Sequence, residues 1–296
     1  MLLAMILLLV PATVQTDQWS KDFKVDGAPR VRVKTGDAHV RISGADTSSV
    51  EARVTTRNWK IGGDGIQVVD RQNGDEVELE VRFPKRWFQF DGGDRRVDIE
   101  IRVPRFASLN INTGDGNIEL SGVSGELNLH TGDGRLGIKD VEGTVRAETG
   151  DGPVHLVGAK GEITLHTGDG RVEVEGVDGK LSVETGDGRV RVSGRFDVLD
   201  VKTGDGGVEA IALGGSKMLA DWSLRTGDGR LSMRVPADLA ADVDLHTNDG
   251  EIDLAGLPVA ISGRTAKNEI RGQVNGGGKL LSLKSGDGSI RLDVNR

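Results

Sequence analysis

Residues 131–148 read TGDG-RLGIK-DVEG-TVRAE, and the two blocks that follow read TGDG-PVHLV-GAKG-EITLH and TGDG-RVEVE-GVDG-KLSVE. Thr-Gly-Asp-Gly opens six blocks at a constant interval of 18 residues, with its threonines at Thr113, Thr131, Thr149, Thr167, Thr185 and Thr203. Related tetrapeptides follow at less regular intervals, beginning at Thr226, Thr247 and Ser285, and a partial copy begins near the start of the chain at Thr35. A fixed period of this length is typical of one structural unit stacked on copies of itself.

Within each block, two segments of about five residues alternate apolar and polar side chains. This alternation has the period of a half-buried β-strand, because successive side chains of a strand point to opposite faces. In the block that begins at Thr131, it predicts that Leu136 and Ile138 of one strand and Val145 and Ala147 of the next point inward. A glycine-containing tetrapeptide separates the strands, which predicts a tight corner or a positive φ angle there.

Two strands and two corners per block fit either an antiparallel meander or one coil of a solenoid. In a solenoid each residue stacks on its own copy about 4.8 Å away, whereas a meander pairs non-equivalent positions and needs no constant interval. We therefore predict an all-β fold, a flattened parallel β-solenoid with about 18 residues per two-strand coil. Each coil buries roughly four aliphatic side chains, and burial of each one stabilises the fold by about 1.5–3 kcal/mol. Most of this free energy offsets the entropy lost when the backbone is ordered, so one coil alone is unstable and several must stack.

The sequence divides into three regions, the last two forming one continuous domain. Residues 1–16 contain the apolar run MLLAMILLLV, which is short for a membrane span and typical of a signal peptide or N-terminal anchor. A buried N-terminal strand is the alternative. Residues 17–104 alternate irregularly and predict an irregular N-terminal β cap, and residues 105–296 hold the β-solenoid repeats. Export predicts an extracytoplasmic location, periplasmic or at the cell surface, with the membrane contacted only through an uncleaved N-terminal segment.

Composition narrows the function classes. The chain has 46 acidic and 38 basic residues and a formal charge of −8, which argues against a protein that binds nucleic-acid phosphates. Aromatic residues make up 3% of the chain, too few for a platform on which bases stack. The absence of cysteine excludes disulfides and thiolate metal sites.

One combination of motifs resembles a known family. An Ile101-x-Val103-Pro104 segment precedes Leu109-x-Ile111 and the first regular TGDG corner at Thr113, after an export-like N-terminus. This combination is similar to the DUF4097 β-strand-repeat family, which is also labelled an adhesin family. The resemblance covers roughly residues 20–296 and implies a bacterial envelope-associated or surface protein. It implies little about activity.

The aspartates of the TGDG corners form a column that has two interpretations. Stacked about 4.8 Å apart, neighbouring carboxylates repel by about 1 kcal/mol in water, so something must compensate. One hypothesis is a Ca²⁺-binding β-roll, because acidic glycine-rich corners are typical of such rolls. The other is a structural corner in which aspartate accepts backbone N–H bonds and threonine closes the turn. The sequence favours the structural corner, because only one of the two corners in each coil is acidic and because an arginine that can neutralise the carboxylate often follows it. The aspartates concerned are Asp115, Asp133, Asp151, Asp169, Asp187 and Asp205.

No other pattern predicts a catalytic or metal site. The residues before each corner threonine alternate in charge, which predicts a surface ladder: His130, Glu148, His166, Glu184 and Lys202. Zinc requires three or four converging ligands, and His130 and His166 lie a whole coil apart. No helix follows the Gly-x-Gly runs, so they predict no nucleotide loop. We therefore predict no catalytic residue, no cofactor and no enzymatic activity.

An aromatic cluster interrupts the repeat at Trp87, Phe88 and Phe90. If these side chains are exposed, they are candidates for contact with a partner; the alternative is that they plug the open end of the solenoid. The leading hypothesis is a non-enzymatic, exported β-solenoid that acts as an envelope scaffold or adhesin-like interaction module for an unknown protein or envelope partner. The alternative is the Ca²⁺-binding β-roll.

Overall fold

The structure is a computed structural model that describes residues 15–84, 95–255, 257, 259–261 and 266–295. Within these residues the chain forms 23 β-strands and no helix. No helix in this part of the chain is therefore long and apolar enough to cross a membrane. Trp87, Phe88 and Phe90 lie outside the described residues, as do residues 1–14.

The strands fall into three groups along the chain. The first group contains β1 (Thr16–Lys24), β2 (Arg30–Thr35), β3 (His39–Ala45), β4 (Ser49–Arg57), β5 (Gln67–Asn73), β6 (Glu76–Arg82) and β7 (Arg96–Pro104). The regular group contains β8 (Ser108–Asn112), β9 (Ile118–Ser121), β10 (Ser124–Thr131), β11 (Leu136–Thr149), β12 (Val154–Thr167), β13 (Val172–Thr185), β14 (Val190–Thr203) and β15 (Val208–Ala212). The last group contains β16 (Trp222–Thr226), β17 (Leu231–Val235), β18 (Ala241–Thr247), β19 (Ile252–Ala255), β20 (Val259–Ile261), β21 (Glu269–Val274), β22 (Lys279–Ser285) and β23 (Ile290–Val294).

The regular group confirms the predicted parallel β-solenoid. Strands β10 to β14 pair in parallel, and residues lie beside their copies from the neighbouring block. The exception is the second corner between β13 and β14, where the register shifts by one residue from Val177 to Gly179. Val172, for example, pairs with Val154 on one side and with Val190 on the other. The 18-residue interval is therefore the length of one coil, and columns of equivalent residues run along the solenoid axis.

Each coil has two kinds of corner. The TGDG corner interrupts the strands, whereas the second corner, DVEG in the coil of Leu136, lies inside the continuous 14-residue strand β11. Leu136, Ile138, Val145 and Ala147 are buried, as predicted. The second corner adds Val141 to the core, because its side chain also points inward.

The first coil in the sequence is not the outermost coil in space. Strand β2 pairs in parallel with β6 and β8, and β3 pairs in parallel with β7 and β9. The coil formed by β2 and β3 therefore lies between the coil formed by β6 and β7 and the coil formed by β8 and β9. Residues 17–104, which were predicted to form an irregular cap, thus contribute two stacked coils.

The last coil in the sequence is placed in the same way. Strand β22 pairs in parallel with β16 and β18, and β23 pairs in parallel with β17 and β19. Leu283 accordingly lies between Leu224 and Leu245 within one column. The chain builds an outer coil first and then returns to fill the layer beneath it.

Antiparallel strands cover the ends of the stack. Strands β4 and β5 pair antiparallel with β7 and β6, and β1 continues the sheet beyond β4. At the other end, β21 pairs antiparallel with β18, and β20 pairs with β21. Such strands change the direction of the sheet at its ends, where an unbroken parallel edge would favour aggregation.

Candidate functional site

The TGDG corners form one continuous hydrogen-bonded column. The hydroxyl of Thr167 lies 3.1 Å from the carbonyl oxygen of Gly150 and 3.0 Å from that of Gly152, both in the preceding coil. It also accepts a bond of 3.2 Å from the backbone N–H of Gly170 in its own corner. The side chain of Thr167 is fully buried. Threonine thus ties each corner to the coil beneath it as well as closing its own turn.

The aspartates use the same coil-to-coil pattern. Oδ1 of Asp151 accepts a bond of 3.3 Å from the backbone N–H of Asp169, and Asp169 accepts one of 3.2 Å from Asp187. The bond recurs at every step from Asp37 to Asp205. The aspartates are exposed, and each carboxylate from Asp37 to Asp187 accepts a bond from the amide of the next coil. This amide column supplies the compensation that stacked carboxylates need, and it agrees with the structural hypothesis for the corner.

The two glycines of the motif are required by stacking. A Cβ on Gly170 would lie well under 3.0 Å from the carbonyl oxygen of Gly152, and one on Gly168 would meet Oδ1 of Asp151. Neither glycine has a positive φ angle, so TGDG corresponds to the tight corner of the prediction and not to its positive-φ alternative. The second corner has the positive φ angle, with Gly161 at φ 119° and Gly179 at φ 132°.

The column of corners begins at Thr35, because the neighbouring outer coil, formed by β6 and β7, has no TGDG motif. Thr35 pairs with Val81 of β6, so no TGDG corner lies there to accept its hydroxyl. Its Oγ1 is buried without a hydrogen-bond partner among the described residues. Phe83 packs under Gly36 instead. The end of the corner column is therefore capped by an aromatic side chain.

Calcium binding by the aspartate column stays a prediction. Among the described residues, no group of three or more histidine, cysteine, aspartate or glutamate side chains converges closely enough to hold a metal ion. One oxygen of each carboxylate from Asp37 to Asp187 already accepts an amide bond. The arginine that follows Asp169 does not pair with it, since Arg171 forms its ion pair with Glu173 at 3.5 Å.

The predicted charge ladder lies on one flat face of the solenoid. We call this face B; it consists of the outward side chains of the strands that lead into the TGDG corners. His130 lies 3.5 Å from Glu148, and His166 lies 3.9 Å from Glu184. Lys202 donates a bond of 2.7 Å to Glu184, and this hydrogen bond lowers the pKa of the Glu184 carboxyl. The pairs lie side by side in neighbouring coils and bring no three ligands to one point.

The opposite flat face carries the clearest departure from the repeat. We call it face A; it consists of the outward side chains of the strands that follow the TGDG corners. Both carboxylate oxygens of Glu209 are engaged there, by Arg191 at 3.0 Å and by Arg234 at 3.2 Å. Gly207 lies beside them, at a position that is arginine in several coils. A cleft of about 310 Å³ opens at this glycine between Arg189 and Arg230.

Comparison with known proteins gives a family and several remote structural neighbours. The sequence model of the family described as Toastrack DUF4097 matches residues 29–293. No curated protein matches the sequence. A "putative lipid binding protein" from Parabacteroides distasonis is 14% identical, with a TM-score of 0.40 and coverage of 93% of this chain and 96% of that chain. A "putative adhesin" from Bacteroides fragilis is 12% identical, with a TM-score of 0.33 and coverage of 93% and 97%.

Proposed function

The chain belongs to the Toastrack DUF4097 family, and we propose that it is an exported, non-enzymatic β-solenoid that serves as an envelope scaffold or adhesin-like interaction module. The observation that carries this proposal is the parallel pairing of the coils. It stays continuous from β6 and β7 at one end to β18 and β19 at the other, with one local shift of register at the corner between β13 and β14. About ten coils at the spacing of paired strands make a body roughly 50 Å long with two flat faces.

The stack supports a role in binding because its surface is rigid and extended. The corner bonds of threonine and aspartate join every regular coil to the next, and the interior is filled mainly with aliphatic side chains. A surface that is already ordered loses little conformational freedom when it binds, which lowers the cost of association. Large flat faces suit another large molecule better than a small substrate.

The arrangement of the titratable groups supports a non-enzymatic role. A catalytic site brings two or three different groups to one point, commonly in a concave pocket. On face B of this chain, the histidines pair one by one with glutamates of neighbouring coils, as His130 does with Glu148 and His166 with Glu184. Ladders of this kind stabilise a sheet surface and are used here along its length.

Export is tested by fractionating a bacterial host that produces the full chain. The expected result is recovery of the full chain outside the cytoplasm and retention in the cytoplasm of a variant that begins at Gln15. Equal recovery of both proteins from the cytoplasm would refute export. A cytoplasmic reporter protein and a known periplasmic one calibrate the fractionation.

Binding is tested by photo-crosslinking in intact cells. A photoreactive residue replaces Asn128 on face B or Glu119 on face A, and the matched control replaces the buried Val145. An interaction module yields a discrete cross-linked product from an outward position and none from the buried one. Absence of any product from both faces, in cells that export the chain, contradicts the proposed role.

A further inference from the structure

Face A contains two arrangements of arginine that differ in one respect. In the first, Glu209 lies between Arg191 and Arg234, and each of its two carboxylate oxygens accepts a bond from one guanidinium. In the second, Arg189 and Arg230 flank Gly207, which has no side chain. The chain therefore supplies an anion to one pair of arginines and leaves a gap at the other.

The three residues of the gap occupy consecutive coils. The N–H of Val190 donates to the carbonyl oxygen of Gly207 at 3.0 Å, and the N–H of Val208 donates to that of Arg230 at 2.9 Å. Arg189 and Arg230 are therefore about two strand spacings apart, or about 10 Å along the axis. Long side chains anchored at that separation can turn toward each other across the glycine. The cleft between them, of about 310 Å³, is large enough for an oxyanion.

The two arginines have no acidic partner in the part of the chain that the structure describes. No carboxylate there lies within 4.0 Å of the guanidinium of Arg189 or Arg230, although most arginines on the sheet faces are paired. Both side chains are exposed. Three arginines, Arg189, Arg191 and Arg230, and one acidic residue, Glu209, line the cleft, in a chain whose formal charge is −8. This local excess of positive charge is open to an outside anion.

Packing does not explain the glycine. A Cβ at Gly207 would have as its nearest neighbour the carbonyl oxygen of Arg230 at 3.5 Å, which is ordinary contact. The backbone there has no positive φ angle. The glycines of the TGDG motif differ, since a Cβ on Gly206 would overlap the backbone of Gly188. Gly207 is thus free to vary as far as the fold is concerned.

We propose that Arg189 and Arg230 form a binding site for an oxyanion group, a carboxylate, phosphate or sulfate, which occupies the gap over Gly207. The bound group completes the arrangement that Glu209 makes with its own two arginines. The hydroxyl of Ser232, which also lines the cleft, is a further donor. The site stands independently of the proposed function, because binding of a free anion and binding of a partner are measured separately.

The test is a titration of the folded chain with sodium phosphate, sodium sulfate or sodium acetate at constant ionic strength, followed by nuclear magnetic resonance of the arginine Nε–H groups. The expected result is a saturable shift at Arg189 and Arg230 with at least one of the three anions. Phosphate and sulfate report a tetrahedral group, and acetate reports a carboxylate. Shifts that are uniform over all exposed arginines and do not saturate would overturn the site.

Variants make the test specific. Arg189→Gln and Arg230→Gln should each weaken anion binding about tenfold, whereas Arg171→Gln, whose guanidinium is paired with Glu173, should leave it unchanged. Gly207→Glu places a carboxylate of the chain in the gap and should abolish binding while the fold is kept, and Gly207→Gln controls for side-chain volume. Undiminished binding by a folded Gly207→Glu variant would refute the assignment.

Discussion

Replacing Thr167 by valine tests whether the corner hydroxyls hold the coils together. Valine keeps the shape and burial of threonine but cannot donate or accept a hydrogen bond. The change removes the donor shared by the carbonyl oxygens of Gly150 and Gly152, and it removes the acceptor for the N–H of Gly170. Gly150 keeps a second bond, from the N–H of Gly168. The Gly152 carbonyl and the Gly170 N–H lose the hydroxyl as a partner.

The magnitude follows from the two buried groups that lose this bond. An unsatisfied buried polar group costs about 1–3 kcal/mol, so the valine variant should lose about 3 kcal/mol in the free energy of unfolding. Thr167→Ser keeps the hydroxyl and loses one buried methyl group, which costs about 0.8 kcal/mol. The chain itself contains this serine corner: Ser285 Oγ donates to Gly229 at 3.1 Å and accepts from Gly288 at 2.9 Å.

The measurement is urea unfolding of the three proteins, combined with hydrogen exchange of the corner amides. Repeat proteins can lose coils separately, so the exchange rate of the Gly170 amide reports the local effect and the unfolding midpoint reports the global one. Serine should lie close to threonine in both, and valine should be clearly less stable. A valine variant as stable as the threonine protein would refute the reasoning, and so would equal losses for serine and valine.

Three further predictions address the glycines, the N-terminal strand and calcium. Gly170→Ala should prevent or strongly disturb stacking, whereas Gly137→Ala, whose Cβ would find its nearest neighbour at 3.8 Å, should be neutral or stabilising in thermal unfolding. The backbone amides of Ile61 and Gln18 donate to the Asp17 carboxylate and lower its pKa. Ionised Asp17 therefore stabilises the folded state above pH 3.8, and this stabilisation is lost as the pH falls through the lower pKa of the folded state. The chemical shift of the Ile61 amide should follow this titration, and Asp17→Asn should abolish the dependence. Excess Ca²⁺ and EDTA should give the same Tm, because the corner carboxylates are bonded to amides; a Tm several degrees higher in Ca²⁺ would support the calcium β-roll instead.

The regular coils could be predicted from sequence because the repeat is nearly perfect there. Period-2 alternation identified Leu136, Ile138, Val145 and Ala147 as core residues, and all four are buried. Val141 was missed because it lies in a glycine-containing corner, where alternation gives no signal. The inward turn of that corner is a property of three-dimensional packing, since the strand bends without breaking its hydrogen bonds.

The corner chemistry was predicted only in kind. The sequence indicates that aspartate accepts backbone N–H bonds, but it does not show that the donor belongs to the next coil. The N–H of Asp169, for example, donates to the carboxylate of Asp151. The same limit applies to the glycines, whose identity is explained by the backbone of the neighbouring coil. Gly207 did carry a sequence signal, since it replaces the arginine found in other coils, but its meaning depended on seeing which arginines Glu209 engages.

The interleaved ends have a physical explanation in the stability of terminal coils. An outermost coil pairs along one side only, so it is the least stable layer of a solenoid, and a chain terminus within it would fray most easily. Here β22 and β23 at the C-terminal end and β2 and β3 near the N-terminal end each lie between two parallel neighbours. The outer coils, β6 with β7 and β18 with β19, instead lie within the chain, and each is connected at both of its ends to further strands. Fraying from the C-terminal end therefore requires the separation of two strand interfaces, whereas β1 at the N-terminal end pairs with β4 alone and should fray first.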